Sequence, residues 1–217
     1  MKPDQRLYEQ ACDRLRDAIV RGMFAPGARM LERQLTDWLQ VSRTPIREAL
    51  RKLEDEGLVV NYPHRGYFVR NPSFEEAKQA YEMRAILEAA SCELAAQRAT
   101  EVDVASMRQA VRRSNEALEA GDREELLQRN KEFHRRLVHA AHNPFLEKQW
   151  ESIWAFADLL RGSWWVHTER PEVGHREHEE LLETVAKGDS KLARRLGEEH
   201  SRKAWTNVER RFQSTKD

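Results

Sequence analysis

Apolar positions at spacings of three and four run through nearly the whole chain. They are broken by short stretches such as FAPGARM, NYPHRGYFV, RNPSFEE, EAGDREE, AHNPF and AKGDSKL. The period is that of amphipathic helices, and the breaks carry the glycine, proline and small polar residues of turns. Three helices are predicted near residues 5–22, 31–39 and 43–56, and about six more near 73–98, 101–120, 122–142, 144–165, 173–187 and 189–212. Ser73 with Glu76, and Asp122 with Glu125, stand at capping-box spacing at two of these starts. Residues 58–69 depart from the helical period: LVVNY and YFV flank PHRG, the pattern of a short hairpin with a basic tip. Only QVS separates the second helix from the third, about the length a helix-turn-helix needs. The expected fold is therefore mostly α. An N-terminal winged helix-turn-helix with a small β-hairpin wing occupies residues 1–70, and an all-α antiparallel helical bundle follows over 71–217, with Asn71-Pro72 at the junction.

Composition changes this picture little. The chain has 217 residues, 37 Lys and Arg, 37 Asp and Glu, and no formal net charge. Residues 1–70 hold 13 basic against 10 acidic side chains and the remainder 24 against 27, so the front is mildly basic and the back mildly acidic. Cys12 and Cys92 lie in separate helical patterns with no second thiol nearby, which argues against a disulfide framework or a thiolate metal site and points to a reduced, cytoplasmic protein. No apolar run approaches the ~18 residues of a membrane span, and MKPDQRLYEQ lacks the apolar core of a signal peptide. No membrane partner is expected.

The third helix poses a question. Ile46, Ala49, Leu50 and Leu53 form its buried stripe, while Arg43, Arg47 and Arg51 step by four along a neighbouring face. Positive charge at a helix start opposes the macrodipole, so an anionic partner is expected. Pro45 fits the first turn, whose N–H groups need no helical acceptor. Arginine presents a planar fork to guanine O6 and N7, and a helix N-terminus attracts phosphate. Arg33 on the preceding helix and the wing tip His64, Arg65 and Gly66 belong to the same docking geometry on double-stranded DNA. Arg51, deeper and followed by EDE, is expected to pair with those carboxylates. A protein-interaction module is the blander use of this fold.

The stretch GMFAPGARMLERQLTDWLQVSRTPIREALRKLEDEGLVVNYPHRGYFV resembles the DNA-binding domain of GntR-superfamily bacterial transcription regulators, with their PG-x-x-L, SRTPVREAL, L-x-x-EGLV and wing-closing RG. The resemblance implies operator binding, with Arg33, Arg43, Thr44 and Arg47 at the major groove or its phosphates and His64, Arg65 and Gly66 approaching the minor groove.

In the second half, Asn130 and His134 of RNKEFHRRL stand at i, i+4 on one helix face. His178 and His200 each lie 11 residues from Asp189 on opposite arms of a helical hairpin. Both are then about 16 Å from the turn and can face each other at equal depth. Neutral imidazoles converging in a bundle suit Zn²⁺ or a similar divalent ion, with Asn130 offering a carbonyl oxygen. His175 shares a face with His178 and competes with it as a ligand, whereas His139, His142 and His167 are read as ordinary histidines. Trp150, Trp154, Trp164 and Trp165 are read as core or dimer interface.

Residues 73–210 resemble the FCD domain of the FadR-type GntR subfamily, a helical effector-binding and dimerisation domain whose metal-binding members use D-x-x-x-H and two later histidines. The resemblance implies Asn130, His134, His178 and His200 as ligands of a divalent metal, Zn²⁺ first, with Ni²⁺ or Mn²⁺ as alternatives. Asn130 departs from the usual Asp: a neutral amide replaces an anion and weakens cation binding. Arg84 falls in R-x-x-L-E, RAILE here, where it either pairs with Glu88 or clamps a small carboxylate effector. The function expected is a homodimeric transcription regulator, not an enzyme, reading a palindromic operator under control of a small organic acid. The alternative is a metal-dependent hydrolase using the three-His site, against which stands the lack of a carboxylate singled out as proton acceptor, although Glu177 and Glu179 are near.

Overall fold

The computed structural model describes residues 3–162 and 171–214; Trp164, Trp165 and His167 lie outside them. The elements are α1 (Pro3–Val20), β1 (Arg29–Met30), α2 (Glu32–Leu39), α3 (Arg43–Asp55), β2 (Val59–Tyr62), β3 (Gly66–Val69), α4 (Phe74–Arg98), α5 (Glu101–Ala120), α6 (Arg123–His139), α7 (Pro144–Gly162), α8 (Pro171–Ala186) and α9 (Ser190–Ser214). The fold is mostly helical with one small sheet, as the periodicity predicts. Among the described residues no helix is long and apolar enough to cross a membrane.

The contacts divide the chain into two compact units. One comprises the residues up to Ser73 with the later part of α7, from Trp154; the other comprises Phe74–Ile153 and the described residues from Pro171 on. The sequence places all of α7 in the bundle, and here the structure differs. Ala155 and Leu159, at i, i+4, pack on the apolar cluster of the first unit.

In that unit α1 packs on α3, and Leu15, Ile46, Leu50 and Leu53 are wholly buried. Arg16 of α1 donates through Nε and Nη2 to both oxygens of Glu56, each at 2.9 Å, and so ties α1 to the end of α3. The wing pairs β2 with β3 in the register Val59↔Val69 to Tyr62↔Gly66. A third strand, β1, pairs with β3 on its other side, giving the order β1-β3-β2. At two residues β1 is too short for alternation to reveal it. Gln40 closes α2 in the left-handed region, φ 56°, and Ser42 opens α3 without a side-chain cap.

In the second unit α4 lies along α9, α5 pairs with α6, and α8 packs against α5, α9 and α4. Asp122 caps α6 by accepting from the Glu125 N–H, as expected, and Thr100 with Asp103 forms a complete capping box on α5. Trp150 is buried here, and Trp154 is buried in the part of α7 that belongs to the first unit. At Gly197 α9 approaches α4 closely: a Cβ there would stand 2.6 Å from Cys92 Sγ and 3.1 Å from the Glu88 carbonyl oxygen. This contact sets the depth of His200 and Ser201, within one turn of Gly197.

Gly197→Ala adds helix propensity of roughly 1 kcal/mol but forces the two helices apart. The expected net result is a loss of about 1–3 kcal/mol in urea unfolding. A gain in stability would show that the close approach is not required.

Candidate functional site

The winged unit presents a basic surface. Arg33, Arg43, Thr44 and Arg47 are exposed on α2 and the start of α3, and His64 and Arg65 are exposed at the wing tip. His64 and Gly66 have φ of 62° and 85°, the left-handed values that turn the chain there. Pro45 is buried in the first turn of α3, which contains no acidic residue, so nothing in that turn compensates the positive helix end. Arg65 and Arg29 place their guanidinium carbons 5.8 and 5.9 Å from the Phe68 ring centre, so that one aromatic side chain of β3 supports both cations. Arg47 reaches Glu32 in the first turn of α2, its Nε 2.9 Å from each carboxylate oxygen. Arg51 departs from expectation. It makes no ion pair among the described residues; of the EDE carboxylates, Glu56 pairs with Arg16 and Lys52, and Glu54 accepts from the Asn61 N–H.

In the helical unit three of the residues singled out from the sequence meet. The ligating atoms of His134 on α6, His178 on α8 and His200 on α9 all lie within 4.8 Å of one another, and all three side chains are buried. His134 Nε2 and His178 Nε2 are 3.1 Å apart. Nitrogens bound at about 2.0–2.1 Å to one tetrahedral zinc stand roughly 3.3 Å apart, so the pair is near ligand spacing.

The other ring nitrogens explain this orientation. His134 Nδ1 is 2.5 Å from Glu88 Oε1, and His200 Nδ1 is 2.7 Å from Glu177 Oε2. A carboxylate on Nδ1 fixes the tautomer that leaves Nε2 as a lone-pair donor. Asn130 is buried one turn before His134, and its amide nitrogen has no hydrogen-bond partner among the described residues. His175, the competitor of His178, is instead directed to Ser114, with Nδ1 3.2 Å from its hydroxyl.

The electrostatics keep His134 and His178 neutral. Burial pushes His134 down to about 4; Glu88 pulls the other way, and His200 and Arg84 add to the depression. Burial also holds His178 well below the usual imidazole range, reinforced by His134, His200 and His175. For Glu88 burial opposes the charge, yet Arg84 and then His134 hold its carboxyl well below the ordinary value. Neutral imidazoles backed by anionic carboxylates are the donor set a divalent cation requires.

Arg84 is 1% exposed and pairs with Glu88, its Nε 3.1 Å from Oε2, while its guanidinium carbon lies 5.4 Å from the Tyr81 ring centre. Of the two readings from sequence, the geometry is that of the Glu88 partner. Glu88 also accepts from the Ser201 hydroxyl. Glu88, Glu177 and Ser201 were not selected from sequence as parts of the site. Glu88 is visible there only as the i+4 neighbour of Arg84, and Glu177 only as the neighbour of His178. Bordering the cluster at His200, a cavity between α8 and α9 is lined by Glu177, Glu180, Arg195, Glu199 and Lys203 among others.

Comparison with known proteins agrees with both halves. The FCD domain family matches residues 79–203, and the family of bacterial regulatory proteins described as gntR matches residues 7–69. The chain is 34% identical over 165 residues to the Nta operon transcriptional regulator of Aminobacter aminovorans, covering 75% of this chain and 76% of that one. It is 26% identical over 217 residues to the HTH-type transcriptional repressor RspR of Escherichia coli (strain K12), covering 100% and 95%. In fold it resembles the E. coli McbR/YncC structure, with a TM-score of 0.83 at 22% identity over 95% and 98% of the two chains. A putative GntR transcriptional regulator from Rhodococcus sp. RHA1 superposes with a TM-score of 0.76 at 25% identity over 93% and 96%. These relatives are transcription regulators, not enzymes, so the hydrolase alternative is set aside. The chain belongs to the GntR family of bacterial regulatory proteins and is a transcription regulator in which a winged helix-turn-helix precedes an FCD domain.

Proposed function

We propose that this regulator is metabolite-responsive and of the FadR type: a homodimer that reads a palindromic operator, with a divalent ion and a small carboxylate effector bound in its helical domain. The observation that carries the reading is the buried His134, His178 and His200 cluster, with a carboxylate behind two of its rings. Zn²⁺ suits these nitrogen donors best, with Ni²⁺ or Mn²⁺ as alternatives, and Asn130 supplies a neutral oxygen. When bound, such an ion offers a Lewis-acid anchor for one oxygen of an organic acid.

The chain's own residues do the rest. Glu88 and Glu177 orient His134 and His200. Arg84 stands one turn from Glu88, so an incoming carboxylate must compete with Glu88 for the guanidinium or leave that pair intact. Control of DNA binding then requires only that effector and operator favour different arrangements of the dimer. On the DNA side, Arg33, Arg43, Thr44 and Arg47 face the major groove or its phosphates, and His64, Arg65 and Gly66 face the minor groove.

Selection of duplexes from a random pool should recover two symmetric half-sites, with recovery changed by candidate carboxylates and by chelator. Arg47→Ala should weaken gel-shift affinity for the selected duplex by ~1–3 kcal/mol. Unchanged affinity would remove Arg47 from the reading set, and recovery without symmetry would remove the dimeric operator.

The neutral His134 also predicts a pH dependence. His134 ionises near 6.5 when unfolded and at about 4 when folded, so the folded state binds fewer protons between those values. Its contribution to stability is complete above the upper value and is lost as pH falls towards the lower. Chelated protein should therefore be about 2 kcal/mol less stable to urea at pH 5 than at pH 7. Equal stability at the two pH values would mean that His134 is not held neutral in the fold.

A further inference from the structure

Arg47 differs from the other exposed arginines of the helix-turn-helix in having a fixed partner. Its Nε donates to both oxygens of Glu32, while the two terminal NH2 groups make no hydrogen bond among the described residues. Arg33 and Arg43 have no ion pair of this kind. The Arg47 side chain is 57% exposed and that of Glu32 31%, and an ion pair this open contributes little to stability. Its geometry is more informative than its energy. A carboxylate on Nε leaves the end-on fork of Nη1 and Nη2 in solvent, and that fork is the part of arginine that spans guanine O6 and N7.

We infer that Glu32 is a positioning residue for base readout: by holding Nε it presets the Arg47 fork beyond the start of α3 and favours base edges over phosphates. The inference rests on the proposed role of Arg47 in DNA reading.

Three physical effects support it. Arginine has many rotamers, and those already frozen in the free protein cost nothing further at the interface. Glu32 sits in the first turn of α2, where the helix dipole favours an anion, so the anchor is itself held in place. The negative charge of Glu32 offsets that of Arg47 toward the phosphate backbone, which lowers the sequence-independent part of the affinity. Glu32 thus trades general attraction for discrimination.

The test compares wild type, E32Q, R47A and the double variant. Each is titrated against the duplex that wild type selects from a random pool and against a scrambled duplex of equal length, at several salt concentrations, with folding checked by circular dichroism. E32Q is expected to lower the ratio of selected to scrambled affinity about three- to tenfold. It should leave scrambled affinity equal or higher, with a salt slope steeper by up to ~1. Added to R47A, it should lower the ratio no further. A ratio unchanged in E32Q while R47A lowers it would overturn the positioning role and leave the reading role intact. A rise in selected-duplex affinity at an undiminished ratio would also overturn it, marking Glu32 as a mere electrostatic brake. R47A without effect on the ratio would overturn the reading role of Arg47 and this inference with it.

Discussion

A carboxylate with 1% of its surface exposed must be neutralised by what surrounds it, and Glu88 shows how that requirement organises the helical domain. Its neighbours come from three helices: Arg84 from its own α4, His134 from α6 and Ser201 from α9. Each contact fixes more than the charge. Arg84 is drawn inward at a position where an arginine on a helix surface would face water. His134 is turned so that Nδ1 serves Glu88 and Nε2 faces His178. Ser201 holds the turn of α9 that also carries His200, and Gly197 lets that turn come close. The candidate metal centre is built outward from one buried anion.

The charge balance also explains why the cluster suits a cation without containing an anionic ligand. His134 and His178 are neutral because burial disfavours their charged forms. The negative charge stands one bond network away, on Glu88 and Glu177, where it raises the basicity of the ring nitrogens. Asn130 in place of an acid is consistent with this arrangement. The site keeps its anions behind the histidines and offers neutral donors in front.

Much of this was legible in the sequence, because helix periodicity and turn chemistry act over a few residues. The nine helices among the described residues begin and end within about three residues of expectation, and the depth of His178 and His200 follows from equal arm lengths about Asp189. What escaped depends on distant neighbours. Strand β1 exists only because β3 offers it an edge. The later part of α7 belongs with the first unit because Ala155 and Leu159 find a cluster there, which periodicity cannot assign. Glu88 looks like half of an i, i+4 surface pair until α6 and α9 cover it. The Glu32–Arg47 pair spans 15 residues and a turn, and Arg16 reaches Glu56 from 40 residues upstream.

The buried Glu88 carboxylate stands behind the histidine cluster that we propose holds a divalent cation. The most direct measurement is zinc affinity by competition with a chromogenic chelator, for wild type, His178→Ala and Glu88→Gln, each verified as folded. Wild type is expected to bind one ion per chain, His178→Ala to lose that ion, and Glu88→Gln to bind it about 10–100-fold more weakly. Folded wild type that competes no better for zinc than His178→Ala would mean that the histidines hold no such ion.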